Sequence, residues 1–198
     1  MTAATMDTET AKAIQYAEKL LDAAITVVGA ARVVLNENGA RDPKVVGLTL
    51  LCRSISNFRA AILLVQQRHV MEARALVRCL YENLLWMGAL SERGLAFVLD
   101  MVADEAFSRK ALGELALKMS SKHGVDVGVA DSLTLRGIIK ELVQQFPTTK
   151  KLHANRAAAD SPVEFAYVEY MRLSLDAVHC SQPAGLDRLR RQGHRARG

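Results

Sequence analysis

The sequence predicts an all-α fold, a single-domain helical bundle of about six helices, on three observations. Ala, Leu and Met, which lose little side-chain freedom in a helix, are abundant in a chain that is 50% hydrophobic and only 5% aromatic. Apolar residues recur at three- and four-residue spacing through long stretches. Helix stops and starts punctuate those stretches at Asn36-Glu37-Asn38-Gly39, Asp42-Pro43, Pro147 and Ser161-Pro162. At 198 residues the chain can bury one core and is too short to predict two. The expected organisation is a helical bundle over 1–180 and a basic, disordered tail over 181–198.

The first helix is predicted from about Glu9 to Leu35, where Ala17, Leu20, Leu21, Ala24, Val28, Ala31 and Leu35 share a face. A second opens at Asp42-Pro43, an N-cap followed by a proline at the first helical position, and runs to about Gln67. The third, Val70 to Leu90, is apolar on nearly every side. A fourth is expected from an N-cap at Ser91 to about Ser121, with Gly124 as its stop. The stretch from His123 to Ala130 reads as a loop, and a fifth helix spans about Ser132 to Phe146. Thr148 to Asp160 then reads as a polar connector too long for a tight turn. The last helix carries a capping-box start, Ser161-Pro162-Val163-Glu164, and is expected to fray near Cys180.

Between Ala75 and Leu90 the only charges are Arg78 and Glu82, one turn apart. A pair placed where water is scarce is costly unless its members engage each other. One reading makes it an ion pair that fixes helix register. The other places it in a polar cleft, with Glu82 as a base or orienting group. On the last helix Val163, Tyr167, Tyr170, Met171, Ser174 and Val178 gather on one side, and Glu169, Arg172, Asp176 and His179 on the other. Ser174 therefore needs a polar partner, for which Glu82 is the expected acceptor. Arg78, Glu82, Tyr170 and Ser174 form the predicted polar network.

The net charge of +5 belongs to the tail: residues 181–198 hold five Arg against one Asp, leaving 21 basic and 20 acidic residues in the body. A basic nucleic-acid face on the body is therefore not implied by the total charge. The abrupt change of composition there is of the kind expected of a shifted reading frame or a truncated relative. Cys52, Cys79 and Cys180 are too few and too dispersed for a disulfide framework or a zinc site. The first residues lack a signal-peptide layout, and no uncharged run approaches the ~20 residues of a bilayer span. A cytoplasmic location, no membrane association, no metal and no cofactor are the expectations. There is no phosphate loop, nucleophile elbow, His-Glu-x-x-His or calcium-loop spacing.

Ala60 to Leu64, Glu72-Ala73, Leu76 to Glu82 and the stretch Tyr170-Met171-Arg172-Leu173-Ser174-Leu175-Asp176-Ala177-Val178-His179 resemble a bacterial helical family. It is catalogued as a domain of unknown function, number fifty-six seventy-seven, and the likeness runs from about Leu48 to Cys180. That resemblance implies a helical domain and no activity. A weaker likeness is to the HEPN helical domains, many of them ribonucleases of toxin or phage-defence systems, which carry Arg-x4-6-His on a late helix. Arg172 and His179 fit that spacing, while Leu173 stands where such enzymes commonly have a polar residue. The likeness implies a metal-independent ribonuclease and a homodimer with two such pairs in one cleft. His179 would then move the proton of a 2′-hydroxyl and Arg172 would hold the phosphate, with Lys150, Lys151 and Arg156 adding backbone affinity. Two functions are thus open: an interaction or scaffold protein with a protein partner, and a ribonuclease acting on RNA through Arg172, His179 and Glu82.

Overall fold

The computed structural model describes residues 8–124, 129–147 and 151–178. Among the described residues there are seven α-helices and no strand: α1 (Thr8–Ala30), α2 (Pro43–Gln66), α3 (Val70–Arg93), α4 (Leu95–His123), α5 (Val129–Gln145), α6 (Ala154–Ala158) and α7 (Ala166–Val178). The fold is all-α, as the composition predicts. The predicted tail lies outside the described residues.

Helix boundaries follow local chemistry with instructive exceptions. Helix α1 stops at Ala30, short of the predicted Leu35. Beyond it Val33 and Val34 are β-branched, and Val34 and Leu35 are exposed, so no burial offsets the cost of continuing. A single 3-10 turn, Gly39–Arg41, leads to Asp42. The buried Asp42 caps α2: its Oδ1 accepts the Lys44 N–H at 2.7 Å and its carbonyl accepts the Val46 N–H at 3.0 Å. Its other carboxylate oxygen takes a hydrogen bond from the Asn36 amide. Asp42→Ala removes the cap and one side of a buried contact, and is expected to lower stability by about 1–2 kcal/mol in urea titration.

Helix α2 ends in a Schellman motif. The His69 N–H bonds the Leu64 carbonyl at 2.8 Å and the Arg68 N–H bonds that of Val65 at 3.0 Å. Arg68 adopts φ +64° to make this turn, a conformation that strains a residue with a Cβ. The predicted start of the fourth helix at Ser91 is overturned. Helix α3 runs on to Arg93, and the break falls at Gly94, whose φ of +53° favours glycine.

Gly124 closes α4 in the left-handed conformation, as predicted. Helix α5 begins at Val129, earlier than the predicted Ser132. Part of the predicted polar connector is helical: α6 buries Ala157 and Ala158, and the Leu152 N–H before it donates to Asp104 Oδ1 at 2.6 Å. The predicted capping box at Ser161 does not form. Residues 162–165 are turn, α7 starts at Ala166, and the buried Ser161 hydroxyl has no hydrogen-bond partner among the described residues.

The chain divides into two compact units, whose described residues are 8–31, 51–84 and 165–178 in one and 32–50, 85–124, 129–147 and 151–164 in the other. In the first unit Ile14, Leu21 and Ile62 form the core, with Ala17, Ile55, Phe58 and Val65 packed around it. Buried Asn83 donates to the Ser54 hydroxyl at 3.1 Å, pinning α3 to α2. In the second unit Leu50, Ala89, Leu90, Phe97, Val98 and Ala157 form the core, flanked by Val46, Trp86, Met87, Met101 and Leu152. Gly113 of α4 lies so close to Leu135 and Ile139 that a Cβ there would meet Ile139 at 3.0 Å.

Among the described residues α2 alone is long and apolar enough, by length and composition, to cross a membrane. It gives Leu50 to one core and Ile62 to the other, and it carries Arg53 and Arg59 exposed.

Candidate functional site

Arg78 projects from α3 one turn before Glu82, and its Nη1 stands 3.5 Å from Glu82 Oε2. The same nitrogen donates to the Tyr170 hydroxyl of α7 at 3.5 Å, the long end of hydrogen bonding. The guanidinium carbon also lies 5.8 Å from the Tyr170 ring centroid, within reach of a cation–π interaction. Tyr170 in turn stacks with Tyr167, centroids 6.0 Å apart at 26°. Arg78 thus links α3 to α7.

The expectation of a dry, costly pair is corrected. The Arg78 and Glu82 side chains are 30% and 32% exposed, so solvent screens their attraction and softens the desolvation cost. Buried positions of α3 fall instead at Ala73, Asn83, Leu85, Gly88, Ala89 and Leu90. Ser174 also departs from expectation. Its hydroxyl donates to the Tyr170 carbonyl at 2.8 Å, one turn back on its own helix, and not to Glu82. A serine in a helix has that acceptor always at hand, which relieves it of any need for a distant carboxylate.

Helix α7 has two distinct sides. Ala166 and Leu173 are buried, and Tyr167, Tyr170 and Ser174 are half-buried. Met171, predicted on this side, is exposed. On the opposite side Arg172 Nη2 pairs with Glu169 Oε2 at 2.8 Å, with side chains 69% and 43% exposed. Interleaved with that pair stand Phe165, Val168 and Leu175, which are 75%, 69% and 54% exposed. The charge pattern of the sequence marks this side as polar, yet Val168 and Leu175, seven residues apart, share it, with Phe165 immediately before the helix.

The structure brings together Arg78, Glu82 and Tyr170 from the predicted network, with Ser174 joined only through the Tyr170 backbone. Of the predicted catalytic set, Arg172 is engaged by Glu169, and His179 lies outside the described residues. Of the predicted RNA contacts, Lys151 and Arg156 are exposed and Lys150 lies outside the described residues. Among the described residues no group of three His, Cys, Asp or Glu is placed to hold a metal. Asn83 with Ser54, and Asp104 with the Leu152 N–H, are polar links that no local sequence pattern signals. Their partners are 29 and 48 residues away, beyond any local pattern.

A family model described as a family of unknown function, DUF5677, matches residues 44–193. The chain belongs to the DUF5677 family. The DUF5677 region covers α2 through α7, and with them Arg78, Glu82, Tyr170 and the exposed side of α7. Helix α1 precedes it, yet Ile14 and Leu21 of α1 share a core with Ile62 of the DUF5677 region. Comparison with curated proteins and with solved structures returned no match.

Glu82→Ala is expected to lower stability by about 0.5–1 kcal/mol, the upper range for a partly screened pair. Arg172→Ala, at a more exposed pair, is expected to change it by less than about 0.5 kcal/mol. Urea titration of both variants checks the order.

Proposed function

We propose that this chain is a cytoplasmic interaction module, acting by binding another protein through exposed helix surface. The observation that carries this reading is α7. One side of it is engaged by packing and by Arg78, while Phe165, Val168 and Leu175 hold apolar surface in solvent on the other. Burying such side chains against a partner contributes about 25 cal/mol per Å² before the costs of association are met. The charged groups of the site are engaged within the chain, Arg78 with Glu82 and Arg172 with Glu169, as in a scaffold whose polar groups hold its shape.

The test is twofold. The full-length chain, affinity-tagged and expressed in the cells that make it, is expected to retain a stoichiometric partner, itself or another protein, that Val168→Asp releases without unfolding the chain. Labelled RNA incubated with the purified chain is expected to stay intact. RNA cleavage that Arg172→Ala and His179→Ala both abolish would replace this reading with that of a metal-independent ribonuclease.

A further inference from the structure

On an α-helix each residue advances the side-chain direction by about 100°. Leu175, Val168, Arg172 and Glu169 of α7 therefore occupy an arc of about 120°, and Phe165 immediately precedes the helix. Buried Leu173 and Ala166 lie about 40° and about 60° beyond its Glu169 edge. The arc is apolar at Val168 and Leu175, with exposed Phe165 just before it, and midway along its length it carries one charge of each sign, Arg172 near its centre line and Glu169 at one edge. We infer that this face of α7 is a self-association surface on which a second copy of the chain docks with its own α7 antiparallel. This inference rests on the interaction-module reading and names the partner.

The face is complementary to itself. A two-fold axis beside Tyr170 sets Phe165 of each copy against Leu175 of the other, because the two lie five residues to either side of it. The same axis brings Arg172 of each copy between Val168 and Glu169 of the other. Apolar residues thus meet apolar residues at both ends, and unlike charges meet twice at the centre. Isologous pairing repeats every contact, as a cyclic dimer requires. A partner with one sign of charge on its docking face would leave either Glu169 or Arg172 against a like charge. Arg172 need not release its own Glu169, since a guanidinium has donors to spare for a second carboxylate. A helix of 13 residues is about 20 Å long, so the contact sits at the small end of specific interfaces and favours micromolar association.

Charge reversal tests the pairing directly. Sedimentation velocity of the full-length chain is expected to show its mass rising from one chain to two as concentration climbs through the micromolar range. Glu169→Arg alone sets Arg against Arg across the axis, and Arg172→Glu alone sets Glu against Glu. Each is expected to weaken the dimer roughly tenfold or more. An equimolar mixture of the two variants restores both unlike pairs and is expected to recover the dimer. Far-UV circular dichroism matching the wild type confirms that the variants are folded. A wild-type chain that stays monomeric overturns the proposal, and so do variants that dimerise like the wild type or a mixture that does not recover. A monomeric chain that still holds another protein through Val168 removes only the self-pairing; one that holds neither removes the interaction reading as well.

Discussion

Phe97→Ala is expected to destabilise the protein by about 3–5 kcal/mol, the largest loss from any single truncation considered. Phe97 is fully buried in the first turn of α4, in a core shared with Leu50, Ala89, Leu90, Val98 and Ala157. Its ring stands 5.7 Å from the Trp86 ring and 4.7 Å from the Arg93 guanidinium, which itself pairs with Asp100 at 3.1 Å. Alanine removes the transfer energy of the ring, the aromatic and cation–π contacts, and the support that keeps the surrounding cavity filled. Phe97→Leu retains most of the volume and is expected to cost less than about 1.5 kcal/mol. Phe58, only half-buried against the other core, supplies the comparison: its truncation is expected to cost visibly less than that of Phe97. Denaturant midpoints of the three variants read the series.

Gly88→Ala is expected to be the second largest, about 1–3 kcal/mol destabilising despite alanine's better helix propensity. A Cβ at position 88 would collide with Val163 Cγ2 and come within 3.1 Å of the Ser161 hydroxyl. Val163 is β-branched and stiff, so it cannot swing aside as a long side chain would. The gain of about 1 kcal/mol from replacing a mid-helix glycine is therefore outweighed. Removing the obstacle should reverse the sign: Gly88→Ala combined with Val163→Ala is expected to recover most of the loss, and the double-mutant cycle reports the collision as a coupling energy.

That contact also explains why the capping box in the sequence misleads. Ser161, Pro162 and Glu164 carry every local signal of a helix start. The close seat of Ser161 and Val163 against Gly88 holds these residues in a turn instead, and the helix waits until Ala166. Where no such contact intervenes, local signals suffice. Asp42 and Pro43 open α2 and Gly124 closes α4 as the sequence leads one to expect.

The site was legible to a similar degree. The spacing of Arg78 and Glu82 announces their pairing, but nothing local announces Tyr170, 92 residues on, or the exposure of the pair. Periodicity divides α7 into sides without saying which will be buried. Tyr167 and Tyr170 turn inward with Leu173, and the side that looks charged carries the apolar residues left in solvent. Leu173, the departure from the Arg-x4-6-His pattern, is buried, so packing explains its apolar character without reference to catalysis.

The central claim is that α7 is fixed by one side and works through the other. Hydroxyl-radical footprinting of the full-length chain across a concentration series measures both sides at once. Phe165 and Leu175 are expected to be heavily modified in dilute solution and progressively protected as concentration rises, with Leu173 protected throughout. Modification of Leu173 at the level of Phe165, or labelling of Phe165 and Leu175 that concentration leaves unchanged, would contradict it.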